Sequence, residues 1–173
     1  MKRLAVWCVL FSACGGGQAT VGDAGASDAT TLESRDASTS AGDASVSVDN
    51  DATALCVKTI NDYRATLGVA ALTRWGGGET CAASEAKTDS MTGTAHSAFG
   101  ACGESAQDEC PGWNGPPSAM ITQCLAQMWA EGPGSDYIQH GHYINMSSTS
   151  YTQVSCGFYT LANGSVWAAQ NFR

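Results

Sequence analysis

Two of the chain's three histidines keep company that could do chemistry. His96 opens a stretch dense in Gly and Cys that reaches Glu104, and His142 sits in Gly141-His-Tyr-Ile-Asn-Met146. Between them, Glu131 follows Trp129-Ala130. Two neutral imidazoles with one or two carboxylates form a partial shell for zinc or another divalent cation, with positions left for water. A free carboxylate beside such an ion could serve as a base. The same four residues need no metal, because carboxylate and imidazole also make a buried hydrogen-bonded network. No pair is spaced as in HExxH, so tertiary folding must bring the pieces together.

Other reactive side chains receive plainer readings. His140 lies two residues before His142 and reads as a solvated loop histidine. Ser97 adjoins His96, but neighbouring residues rarely oppose their side chains, and no third group is there to orient them. Trp113 and the Pro111-Gly112 and Pro116-Pro117 pairs could rim a binding cleft but read first as turn punctuation.

The elements that must position these residues begin near Ala54, where the composition changes and beyond which all five Tyr lie. Leu55, Ile60, Tyr63 and Leu67 make one helical stripe over 53–67, and Gly68 follows as a cap. An Ala-rich helix is expected over 79–90. A third is expected over 118–129, where Ile121, Cys124, Leu125, Met128 and Trp129 recur at helical spacing before Gly132-Pro133-Gly134. The period then becomes two: Val154, Cys156 and Phe158 alternate with Ser155, Gly157 and Tyr159. Asn163-Gly164 supplies a turn, and 166–172 runs back as a second strand. Helices first and a hairpin last mean α+β, an antiparallel sheet flanked by helices.

Six of the eight cysteines fall in this segment: Cys56, Cys81, Cys102, Cys110, Cys124 and Cys156. In an exported domain an even count reads as three disulfides, with fifteen pairings open. The preferred set joins Cys56 to Cys81, Cys102 to Cys110 and Cys124 to Cys156, on the ground that bridges tie neighbouring elements or close short loops. Export itself is read from residues 1–14. Lys2-Arg3 precede an apolar run, Leu4 to Phe11, and then Ser12-Ala13-Cys14, a signal segment too short to span a bilayer. Phe11-Ser-Ala-Cys14 is similar to a bacterial lipobox, so Cys14 is the expected lipidation site and the membrane is expected only as an anchor. Residues 15–53, rich in Ala, Ser, Thr, Gly and Asp, are expected to form a disordered acidic tether. The formal charge is −8 with no Lys/Arg cluster, which argues against a nucleic-acid partner. Most of that charge lies in the tether.

Taken in chain order, several segments resemble one family. They are Asn61-Asp-Tyr-Arg64, Leu67-Gly-Val69, Leu72-Thr-Arg-Trp75, an Ala-rich helix, His96-Ser97, Gly103-Glu104, Met128-Trp129 with Glu131, Gly141-His-Tyr143 and Cys156-Gly-Phe-Tyr159. Together they are similar to the CAP superfamily of cysteine-rich secretory, antigen 5 and pathogenesis-related class-one proteins, over Ala54 to Arg173. The resemblance implies a disulfide-stapled α-β-α sandwich with a large central cleft. It implies that His96, Glu104, Glu131 and His142 meet in that cleft and can bind zinc or another divalent cation. It also implies a small lipid or sterol as a ligand. The expected protein is a monomer held at a bacterial cell envelope by its lipid, or extracellular without one. Family roles are diverse, so a binding module is preferred to an enzyme. A metal-assisted hydrolase or peptidase, and a non-catalytic cell-surface interaction module, are the alternatives.

Overall fold

The computed structural model describes residues 50–173. The signal segment 1–14, the lipidation site Cys14 and the tether up to residue 49 lie outside the described residues. The first helix, α1 (Asn50–Thr66), starts a little before the expected 53 and buries Cys56, Val57 and Ile60 along one side. Arg64, in its last turn, is buried as well. Its guanidinium donates to the carbonyls of Ala70, Met146 and Ser148, each at 2.8 Å, so the charge is solvated by backbone oxygen instead of an acid. Gly68 follows at φ +68°, the left-handed conformation that favours glycine just past a helix end.

A two-residue strand, β1 (Thr73–Arg74), leads through one tight turn at 76–78 into α2 (Glu79–Thr92). Then come β2 (Ala106–Asn114), α3 (Pro117–Trp129), α4 (Tyr137–Ser147), β3 (Gln153–Thr160) and β4 (Ser165–Phe172). The sheet order is β1-β3-β4-β2, antiparallel throughout except where β1 runs parallel to β3. The expected hairpin is β3–β4, turned by Gly164 and by the Asn163 side chain, which accepts from Ser165 N–H.

Strand alternation sends successive side chains to opposite layers. Cys156, Phe158, Val166, Ala168 and Phe172 face α1 and α3, where they join Ile60, Ile121 and Leu125 in the main core. Trp167 and Ala169 face the other way and pack beneath Ala82 and Ala86 of α2. At Gly157 a Cβ would collide with the backbone of Ala82 and Ala83, so the helix can lie against the sheet only because that residue is glycine. The result is the α-β-α layering expected, with helices on both faces of one sheet.

All six cysteines of this segment form disulfides, but not in the preferred pairs. The bridges are Cys56–Cys156, Cys81–Cys102 and Cys110–Cys124, at sequence separations of 100, 21 and 14. Cys81–Cys102 and Cys110–Cys124 do join neighbouring elements or close a short loop, and the long bridge from Cys56 to Cys156 is the one that departs from that expectation and shifts the other pairs. Cys56 of α1 packs on β3, so its partner is the cysteine of the strand beneath it.

Candidate functional site

His96 stands on the loop joining α2 to β2, at φ +61°. Three acids hang that loop in place. Asp89 accepts from Ser97 Oγ at 2.5 Å and from Ala98 N at 2.8 Å, and Glu109 accepts from His96 N at 2.6 Å. Glu104 takes both of its oxygens to the same loop, accepting from Gly100 N and Cys102 N. The Ser97 hydroxyl is thereby committed to Asp89 and does not serve His96.

The His96 ring has a defined tautomer. Gln107 directs its amide NH2 to Glu85 at 3.1 Å and Asn171 at 3.0 Å, which leaves its carbonyl oxygen for His96 Nδ1 at 2.9 Å. Nδ1 therefore donates, and the lone pair sits on Nε2. His142, on α4, repeats the arrangement with another acceptor. Its Nδ1 donates to Glu131 Oε1 at 2.5 Å, and its backbone N–H reaches Glu131 Oε2 at 3.0 Å. Trp129 fixes this corner by stacking between Tyr63 and Tyr143, with ring centroids at 5.0 and 4.5 Å.

The segment carrying His142 showed no helical signal in the sequence, yet it is helix α4. Asp136 caps it, accepting from Ile138 N at 3.0 Å. His140 is accordingly no solvated loop residue. It is half-buried and donates from Nδ1 to the carbonyl of Glu131 at 2.8 Å, tying α4 to the end of α3.

His96 and His142 line one cavity of about 180 Å³, with Gln107, Asp108, Asn145 and Tyr137 among its other walls. Glu131 reaches this cavity through His142. Glu104 is not among its lining residues; it lies beside Glu85 beneath the loop. A second cavity of about 240 Å³ shares His96, Gln107 and Tyr137 and adds Phe99 and Ala106. A third, of about 380 Å³, lies on the other side of His142 with Glu131, Trp113 and Met128. Trp113 thus lines a cavity, the reading that the sequence ranked below turn punctuation.

Sequence reasoning missed the acids of the interior. Glu85, Asp89, Asp108 and Glu109 are all at most 3% exposed. Burial pushes Glu109 up to about 8 and Glu85 up to about 7, and the nearby charges of Asp89 and Glu104 add to the two shifts respectively. Asp108 is likewise raised by burial, with the Glu131 charge adding and the Asn145 hydrogen bond opposing. The available signal was an acid pair, Asp108-Glu109, inside a strand.

The family model for the cysteine-rich secretory proteins, CAP, matches residues 57–172. The chain belongs to the CAP family. Among solved structures, the CAP domain is similar to one titled "Crystal Structure of Na-ASP-1", at a TM-score of 0.51 and 10% identity. That likeness covers 69% of this chain and 38% of Na-ASP-1, so the chain spans well under half of that protein, and the likeness speaks for the fold alone. No curated protein sequence matches. Three disulfides in a CAP domain mark an exported protein.

Proposed function

We propose that this exported CAP protein binds a divalent metal in the cavity between His96 and His142, and that Cys14 anchors it to a bacterial envelope membrane. One observation carries the metal reading. Each histidine gives its Nδ1 proton to a fixed acceptor, Gln107 or Glu131, and neither Nε2 makes a hydrogen bond among the described residues. Imidazoles oriented by a carboxylate or carbonyl at Nδ1 are what metal sites use to present Nε2. The donor set therefore fits a borderline-soft ion such as zinc better than calcium or magnesium, which take oxygen. Such an ion would supply a Lewis acid to a ligand oxygen. Binding is favoured over hydrolysis because Glu104, one of the two glutamates expected in the cleft, spends both oxygens on loop amides.

Calorimetric titration of the full mature chain with zinc tests the metal reading. Wild type should bind at micromolar concentration or tighter, and His142→Ala at least about tenfold more weakly. No heat at about 100 µM zinc would end the metal reading. A second reading, a lipid or sterol ligand, draws support from the adjoining 240 Å³ cavity, where Phe99 and Tyr137 present apolar surface beside a polar wall. Displacement of a fluorescent sterol from wild type, and not from Phe99→Ser, is its test.

A further inference from the structure

Every base among the described residues is engaged away from the three cavities. Lys58 pairs with Asp62 and Arg74 with Glu79, Arg64 is held by backbone carbonyls, Lys87 lies over Tyr159 and Arg173 over Trp75. None of them lines a cavity, whereas Glu131 lines the largest of the three, at about 380 Å³. That volume lies within the range of about 300–1,000 Å³ common for small-ligand pockets. A wall that carries negative charge with no cation beside it favours a positively charged occupant. We propose that this cavity binds a small organic cation, a quaternary ammonium, between Trp113 and Glu131. It is not the space between the two histidines, because Trp113, Gln127 and Met128 line only the larger cavity and His96 does not line it.

A bulge in β2 brings Trp113 to this place. Cys110 is bridged to Cys124, so it faces α3, and strict alternation would turn Trp113 to the opposite layer. The register slips between them: Cys110 pairs with Ala168 but Trp113 pairs with Val166, so one extra residue on β2 returns Trp113 to the α3 side. There it is half-buried against the main core, to which Val166 also belongs. Gln127 and Met128 follow Cys124 on one side of α3, and Glu131 comes just past the helix end. Glu109 also borders the cavity, but its carboxylate is turned to the His96 loop, so Glu131 supplies the charge.

The Glu131 carboxylate is held but not used up. Its Oε1 accepts only from His142 Nδ1, while its Oε2 accepts from the backbone N–H of His142 and of Tyr143, so Oε1 keeps an acceptor position. Its side chain remains 24% exposed. Indole is the aromatic face that attracts cations best, and the Met128 thioether is polarizable. With Pro111, these side chains present apolar surface that covers methyl groups but cannot hydrogen-bond an ammonium. A quaternary nitrogen spreads its charge over methyl groups and needs no acceptor. A bare metal ion fits less well, since among the described residues no three metal-ligating side chains gather in this cavity.

The test uses the full mature chain in chelator, so its outcome is independent of the metal reading. Calorimetry with choline gives the affinity, and the Trp113 indole N–H resonance gives the place. Choline should bind in the millimolar range or tighter and shift Trp113, while dimethylbutanol, its neutral carbon isostere, should bind at least about tenfold more weakly. Trp113→Leu keeps an apolar residue against the core and should cost choline about tenfold. Gln127 is exposed, so changing it spares the fold: Gln127→Lys should weaken choline several-fold and Gln127→Glu should tighten it. Glycerophosphocholine separates two sources of the same chemistry, since binding as tight as that of choline supports a lipid headgroup and weaker binding supports a free cation. No saturable shift of Trp113 up to about 50 mM choline, equal affinity for dimethylbutanol, tighter binding of butylamine, or unchanged affinity in Gln127→Lys overturns the assignment.

Discussion

Phe172 and Asn171 are consecutive residues of β4 and are equally buried, yet they end in different interiors. Phe172 enters the core that holds Ile60 and Leu125, whereas Asn171 bonds to Glu85 at 2.6 Å and accepts from Gln107. The contrast extends across the sheet. The α1 and α3 face is closed by apolar packing, with Cys56–Cys156 and Cys110–Cys124 set into it. The α2 face is closed by a small alanine layer around Trp167 and then by acids and amides that carry the His96 loop. Apolar burial is non-directional and stabilises the domain, while hydrogen bonds fix a side chain's position and tautomer. The site is supported mainly by the second kind.

Removing Cys56–Cys156 tests this division most severely. The bridge closes 100 residues, and chain entropy alone puts its loss at about 4–5 kcal/mol, against about 3 kcal/mol for the 21-residue Cys81–Cys102 loop on the α2 side. Denaturant unfolding of the Cys56→Ala/Cys156→Ala and Cys81→Ala/Cys102→Ala pairs measures both. The first should be the more destabilising but keep zinc binding in whatever fraction stays folded. The second, which frees the loop of His96, should lose more affinity than stability. Equal effects on both quantities would dissolve the distinction.

The apolar face was legible in the sequence for a physical reason. Ile121, Cys124, Leu125 and Met128 keep helical spacing because one stripe of α3 is buried, and Val154, Cys156 and Phe158 keep a period of two because one face of β3 is buried. The polar face erased that signal. Glu79, Glu85 and Asp89 lie on the buried side of α2, so polarity there does not mark solvent. In α4 the pattern inverts: Ile138 is 95% exposed, while Asn145 is buried. His96, His142 and Glu131 could be singled out by type and motif. What each touches could not, because Gln107, Asp108 and Asn145 act through tertiary contacts and carry no local spacing.

A pH profile reads the acid-lined face directly. In the fold, Glu109 and Glu85 keep their protons up to about 8 and about 7. In the unfolded chain, glutamates release theirs near 4.3. Between these limits the unfolded state binds fewer protons, so stability falls as pH rises from about 4.5 to about 8 and levels off above that. Together the two glutamates set an upper bound of about 9 kcal/mol on what the metal-free domain loses over that range, followed by thermal unfolding at fixed ionic strength. Glu85→Gln keeps a neutral partner for Asn171 and should flatten the lower part of the slope. A level profile in wild type would mean that the interior acids are ionised, and the two faces would differ less than their composition indicates.

The smallest effect belongs to a group where the polar network meets water. Tyr137 is 58% exposed, and its hydroxyl bonds to Asn145 at about the outer edge of the network. In Tyr137→Phe, water can take the vacated position, and Asn145 keeps its bond to Asp108. Chemical denaturation should therefore show a loss of at most about 1 kcal/mol, typical of one exposed hydrogen bond. The Asn145 side-chain amide resonances should move while the rest of the spectrum stays. A loss of several kcal/mol would show that the buried acids and amides act as one cooperative unit whose outermost bond matters as much as its centre. The polar face would then contribute stability on the scale of the apolar one, and its role would not be confined to positioning the histidines.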